Sequence, residues 1–293
     1  MAYTIVKTPI VSYGGKTSML NHLLEMVPIH ESYNEPFFNG GTLFFAKTQV
    51  KNETINDRLD IVINFYRTLR THFKPLKKLV DATLISRSIH NEALNLIRQH
   101  GMTKHAFGGS NFNKMPIALK VKLAWAFWVC TNFAYANKIG GGYKYSNDQS
   151  VSVPDTLAKR KEMFTDLLVA RIEHAYIENE DAIKICNSRN KKKTFHYLDP
   201  PYPETDQGHY SGYGWDQYGN LLDWCEVCEG KFLLSSYNNE LLDKYTIKNG
   251  WHKKEIVSAI PKNKSSRSRK NEIKTEVLIS NYSTPCGTLN LFL

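Results

Sequence analysis

The residues best equipped for chemistry are Asp199-Pro200-Pro201-Tyr202, directly after the apolar run Phe195-His196-Tyr197-Leu198. Two prolines fix the backbone and remove two amide donors, so carbonyl oxygens are left to accept. A carboxylate, an acceptor carbonyl and an aromatic ring are thereby held together at the end of a strand. That set suits a planar base carrying an amino group. Asp199 and the Pro200 carbonyl accept the two amine hydrogens, and Tyr202 stacks on the ring. A second feature is Glu35-Pro36-Phe37-Phe38-Asn39-Gly40-Gly41, a strand end running into glycines and then a helix. Such a turn lets backbone approach a ligand at the carboxyl edge of a sheet. Asp57, at the end of the next expected strand, is placed for ribose hydroxyls; capping a helix is its plainer use.

The elements that position these groups alternate. Strands are expected at Ser32 to Phe37, Thr54-Ile55-Asn56-Asp57, Phe195 to Leu198, Lys231 to Ser236 and Glu276 to Asn281, with helical patterns from Leu43 and over Asp60 to Thr71. Alternation of this kind predicts an α/β fold with a mostly parallel sheet covered on both faces. The middle, 71–174, is richer in helical pattern, aromatics and basic residues, and reads as a second, mainly helical domain inserted into the first, which comprises 1–70 and 175–293.

Composition narrows the partners. Among 293 residues the formal net charge is +10, which points toward a polyanion. The candidate contacts are Lys122, Lys138 and Lys144 in the middle region, and Lys262, Lys264, Arg267, Arg269 and Lys270 in a polar run bounded by strands. No apolar run approaches the roughly 20 residues of a membrane span, and no signal peptide is expected at the N-terminus, so the protein is read as cytoplasmic. The five cysteines are scattered and odd in number, which is no disulfide framework; Cys225 and Cys228 have half the spacing of a zinc site, and no metal is expected.

Taken in order, these motifs resemble the Dam-like DNA N6-adenine methyltransferases. The resemblance rests on Tyr13-Gly14-Gly15-Lys16, Glu35 to Gly41, Asn56-Asp57, Asp181 within Ile177 to Asp181, the complete tetrapeptide at Asp199, and the closing strands Phe232 to Ser235 and Thr275 to Tyr282. It covers most of both ends of the chain and matches the middle only loosely. It implies a Rossmann-like methyltransferase sheet with an inserted target-recognition domain, S-adenosylmethionine as cofactor, double-stranded DNA as partner, and a flipped-out adenine as substrate. It also implies roles: Tyr13 and Lys16 border the cofactor and the reacting site; Glu35, Phe37, Gly40 and Gly41 line the methionine part; Asp57 binds ribose; Asp181 accepts from the cofactor adenine. A restriction endonuclease encoded nearby belongs to the same setting. The chain departs from the family at Asn39, where glycine is usual, and at Ala182, where phenylalanine is frequent. Related tetrapeptides serve cytosine amines, RNA adenine and protein amides, so another amine remains the alternative enzyme reading, and a non-catalytic DNA-binding module on the same fold is the third.

Overall fold

The computed structural model describes residues 6–11, 15–100, 114–146, 152–203, 212–259 and 273–283. Seven strands form one sheet: β1 (Ser32–Glu35), β2 (Asn52–Asn56), β3 (Ala175–Glu178), β4 (Thr194–Leu198), β5 (Lys231–Tyr237), β6 (His252–Ala259) and β7 (Ile273–Ser280). Their order is β3-β2-β1-β4-β5-β7-β6. The first five are parallel, while β7 runs antiparallel to both β5 and β6. This is a Rossmann-like methyltransferase sheet. The order turns back between β1 and β4, and ligands of open α/β sheets bind at such a switch point, outside the carboxyl ends of the strands.

Helices cover both faces: α1 (Leu20–Met26), α2 (Thr42–Ala46), α3 (Asp60–Thr71), α4 (Phe73–Ala82), α5 (Arg87–Gln99), α6 (Ile117–Phe133), α7 (Val153–Glu162), α8 (Asp166–Ile172), α9 (Ala182–Ser188), α10 (Trp215–Glu226) and α11 (Glu240–Asn249). Strand alternation divides the apolar residues between two cores. Tyr33, Phe195, Tyr197, Leu233 and Leu278 pack with α3 and α6, while Leu198, Phe232, Leu234, Val277 and Ile279 pack with α10 and α11. Successive side chains of a strand point to opposite faces, so each strand feeds both cores. The alternation carries past the strand ends: Asp199 follows Tyr197 by two, Ser235 follows Leu233, and Glu276 precedes Leu278.

The middle of the chain is helical, from α4 through α8. Within α6, every residue from Val121 to Phe133 is buried except Lys122. A helix apolar all round belongs inside a protein rather than on its surface. It packs on α3, α4 and α5, and its Trp128 and Phe127 belong to the same apolar cluster as Ile55 of β2 and Phe195 of β4. Each such aromatic contributes about 2–3 kcal/mol when fully buried. The middle helices and one sheet face thus share a core. No helix among the described residues is long and apolar enough to cross a membrane.

Candidate active site

Three strand ends and one short helix build the site. Asp199 follows the last residue of β4, and Pro200 beside it is buried. Lys16 opens the 3-10 turn Lys16–Met19 and is itself buried, with its ammonium 3.0 Å from Asp199 Oδ1. The same ammonium lies 3.6 Å from Glu276 Oε2 of β7 and 4.9 Å from the centre of the Tyr202 ring. The Tyr202 hydroxyl is 3.5 Å from Asp199 Oδ1, 3.4 Å from Glu276 Oε2 and 3.3 Å from Ser235 Oγ. Tyr237 of β5 meets the Tyr202 ring edge-on at 4.6 Å. Register explains the grouping: Tyr237 stands opposite Glu276 across the β5–β7 pair.

The electrostatics follow from burial and from one cation among several acids. Burial pushes the Asp199 carboxyl up, and the Lys16 ammonium opposes it. Burial would lower Lys16, yet Asp199, Tyr202, Tyr197 and Glu276 together hold it well above the usual lysine range, so it stays protonated. Glu35, fully buried at the end of β1, accepts the Tyr33 hydroxyl at 2.7 Å and is pushed up to about 8, chiefly by burial. Its carboxyl is therefore largely neutral at pH 7. On the opposite sheet face, burial drives His196 down to about 3, and it shares a 3.0 Å contact with Asn34, so no histidine base is poised there.

The turn after β1 forms the second wall. Asn39 has φ of 40° and Gly41 φ of 60°, so the usual glycine at position 39 is replaced by the residue type that best tolerates left-handed backbone. A Cβ on Gly41 would lie 2.3 Å from the Phe38 ring. Glycine is thus required there by internal packing as well as by φ. Asp57 is buried and anchors this turn: Oδ2 accepts the Asn39 N–H at 2.8 Å, and Oδ1 accepts the Leu59 N–H at 2.9 Å. Thr8 donates to the Gly40 carbonyl, and Tyr66 to that of Asn39. Phe37 is partly exposed and meets Tyr213 edge-on at 6.0 Å, on the face opposite Phe38. Asp181 is exposed and caps α9, with Oδ1 accepting from Ile183 and Lys184 N–H.

The residues fit a polar, cationic adenosine cofactor on two observations. The buried hydroxyl of Tyr197 and the Oδ1 of Asn39 have no hydrogen-bond partner, and they belong to the β4 and β1 ends that form the crevice. Buried polar groups are rarely left unpaired without a reason. Among the described residues, two carboxylates, Asp199 and Glu276, share the one Lys16 ammonium, a balance that favours a sulfonium.

Lys16, Glu35 and Asp199 are electrostatically coupled across neighbouring strand ends. The DNA candidates are dispersed. Lys122 is exposed near the start of α6, about 16 Å along the axis from its last residue. Lys138 and Lys144 follow the other end, on a turn pinned by Tyr135 N–H to Gly142 O and Lys144 N–H to Phe133 O. Tyr13, Lys262, Lys264, Arg267, Arg269 and Lys270 lie outside the described residues; the last five fall between β6 and β7, which pair antiparallel up to Ala259 opposite Ile273. Sequence reading missed Glu276, Ser235, Tyr237 and Tyr197 as members of the site. The signal for Glu276 was a carboxylate directly before the apolar run Val277-Leu278-Ile279. Cys225 ends in the α10 core, one residue before the helix finishes, and Cys228 lies beyond it.

Comparison with known proteins identifies the family. The pattern of the D12 class N6 adenine-specific DNA methyltransferases matches residues 12–260. The chain is 24% identical over 289 residues to the type II methyltransferase M1.LlaDCHI of Lactococcus lactis subsp. cremoris, covering 92% of this chain and 93% of that one. It is 22% identical over 318 residues to the modification methylase StsI of Streptococcus sanguinis, covering 98% of this chain but only 44% of that protein's length. The methyl donor of the family is S-adenosylmethionine. A pattern matched across most of the chain, on a methyltransferase sheet that gathers Lys16, Glu35 and the Asp199 tetrapeptide at its switch point, places this protein among the D12 class N6 adenine-specific DNA methyltransferases.

Proposed function

We propose that the chain methylates the N6 amine of an adenine flipped out of double-stranded DNA, with Asp199 and the Pro200 carbonyl as acceptors of the two amine hydrogens. The observation that carries this reading is the Asp199 carboxylate itself, partly exposed just past the end of β4 and ion-paired to Lys16 at 3.0 Å. Inside a duplex the amine is paired and out of reach, so the base must leave the stack. Its lone pair is delocalised into the ring. Two hydrogen bonds from its N–H groups favour a pyramidal nitrogen whose lone pair is available. Bound S-adenosylmethionine supplies the activated methyl group. The protein supplies position and charge: Tyr202 stacks on the extruded ring, offsetting about 1–3 kcal/mol of lost stacking, and the acids favour the positive charge that builds on the amine.

For the cofactor, this reading assigns Tyr13, Lys16, Glu35, Phe37, Gly40, Gly41, Asp57 and Asp181. Asp57 and Asp181 already serve the protein's own backbone, each accepting two amide hydrogens. A carboxylate has about four acceptor sites, so Asp181 retains capacity for a ligand. Residues 71–174 are assigned to target recognition, with Lys122, Lys138 and Lys144 meeting phosphates, joined by the basic run from Lys262 to Lys270. A restriction endonuclease of matching specificity is the protein partner this setting allows, and the chemistry needs none.

The test is Asp199→Ala, assayed with labelled donor on unmethylated duplex, single-stranded DNA and RNA. Transfer to duplex adenine should fall by at least about 1,000-fold, while calorimetric titration still shows cofactor binding. Near-normal turnover by the variant would sink the assignment. Wild-type methylation of RNA or cytosine in preference to duplex adenine would replace the substrate.

A further inference from the structure

β7 brings to the site a residue that no motif singled out. Glu276 Oε2 is 3.6 Å from the Lys16 ammonium and 3.4 Å from the Tyr202 hydroxyl. One ammonium thus serves two carboxylates, and one phenol touches both of them as well as Ser235. The β5–β7 pair supplies Tyr237, Ser235 and Glu276 together, so Tyr202 is held from one side by a rigid antiparallel ladder.

We propose that Glu276 is a positioning residue for methyl transfer: it shares the Lys16 ammonium and takes the Tyr202 hydroxyl, which keeps the Asp199 carboxylate available to the adenine amine and the Tyr202 ring in place to stack. The inference rests on the assignment of Asp199 to the amine. Lysine facing a single carboxylate makes a charge-assisted hydrogen bond, roughly twice as strong as a neutral one. The neutral N–H of a base competes poorly with it for the same oxygen. A second carboxylate draws the ammonium partly away. The distances of 3.0 and 3.6 Å describe this divided attachment.

Glu276 also acts on Asp199 as a like charge. The groups facing Asp199 are Lys16 from the N-terminal turn, Tyr197 and Tyr202 from its own stretch, Glu276 from β7 and Glu35 from β1. Of these, Lys16 and the Tyr202 hydroxyl favour its ionised form, and Glu276 opposes it. Removing the Glu276 charge therefore has two effects of opposite sense: Lys16 closes on Asp199 and blocks it, while Asp199 becomes easier to ionise.

Glu276→Gln separates this role from a structural one. It keeps an acceptor for Tyr202 and removes the charge. Measured on unmethylated duplex DNA, kcat should fall by about tenfold or more, with KM for the cofactor and its calorimetric Kd within about twofold. The acidic limb of the kcat profile should move to lower pH although the plateau has dropped. Glu276→Ala, which also releases Tyr202, should lose more. Turnover within about twofold of wild type in both variants would overturn the proposal. So would a loss that tracks thermal stability or cofactor Kd with an unmoved acidic limb. If Asp199→Ala is inactive and Glu276→Gln is not, only the Glu276 role fails; if Asp199→Ala is active, the underlying assignment fails.

Discussion

The protein contains two clusters in which lysine meets carboxylate, and they are built in opposite ways. At the amino end of β2, Glu53 is the single acid between two cations. Lys47 donates to its Oε1 at 2.6 Å, and Arg171 reaches both of its oxygens. Val50 N–H adds a further bond at 3.3 Å. Arg171 also donates to the Phe44 carbonyl and lies 3.7 Å over the Phe44 ring, while Lys47 lies 4.3 Å over Tyr33. All three members are buried. At the carboxyl edge, among the described residues, Lys16 is the one cation between two acids, both partly exposed, with contacts of 3.0 and 3.6 Å. The first cluster spends its acceptor oxygens on the protein. The second shares one ammonium between two partly exposed carboxylates at the carboxyl edge of the sheet. Saturation, rather than the presence of charge, separates a structural ion cluster from one prepared for a ligand.

The largest expected effects test that separation directly. Glu53→Gln leaves two buried cations without their counter-charge and should cost about 3–5 kcal/mol of stability. Transfer by the remaining folded protein should be unchanged, because Glu53 lies at the far end of the strand. Asp199→Asn should show the reverse: stability within about 1 kcal/mol of wild type, because burial already disfavours the charge, and transfer nearly abolished. Chemical denaturation paired with single-turnover assays checks both variants. A stable Glu53→Gln protein, or an unfolded Asp199→Asn one, would erase the distinction.

What the sequence revealed follows the same line. Helix α3 was legible from apolar residues at helix spacing, β4 and β5 from short apolar runs, and β1 and β2 from the glycine turn and the Asn56-Asp57 end that follow them. The edge strands β3 and β6 were not: His252-Lys253-Lys254-Glu255 carries charge where one side meets solvent, and no apolar run betrays it. Asp199 and Lys16 were legible because each lies in a local motif. Glu276 and the Lys47–Glu53–Arg171 cluster were not, since their partners come from distant parts of the chain and only the sheet register unites them. Gly41 was assigned to ligand approach, whereas the Phe38 ring already demands glycine there.

Glu35 is an intermediate case and sharpens the comparison. It is as buried as Glu53, yet its hydrogen bond comes from the Tyr33 phenol rather than a cation. Burial raises its pKa from the usual value near 4.5 to about 8. The folded protein therefore holds a proton that the unfolded chain releases, so stability falls as pH rises from about 4.5 to about 8 and levels off above. Glu35→Gln removes this penalty. The two proteins should match near pH 5, and the variant should gain on the order of 1–3 kcal/mol by pH 8, under the ceiling of about 5 kcal/mol set by the full shift. Thermal melts across that range decide it. A gap that closes with rising pH would mean that Glu35 is ionised in the fold and belongs with Glu53.

The smallest effects concern charges that touch no carboxylate cluster. Lys144 follows the glycine turn after α6, and Lys122 stands near the other end of that helix. A lysine that meets a phosphate releases about 0.9 counterion per contact on B-DNA. Lys144→Ala should therefore lower the salt dependence of duplex binding by about one unit of slope, weaken binding equally across sequences and leave single-turnover chemistry at saturating DNA unchanged. The separation along α6 makes Lys122→Ala an internal control. If both lysines lower the slope, the duplex reaches the surface at both ends of α6; if only Lys144 does, the contact is confined to the turn side. Unchanged slopes in both would remove this face from the interface, and the positive charge opposed to DNA would have to come from elsewhere on the chain.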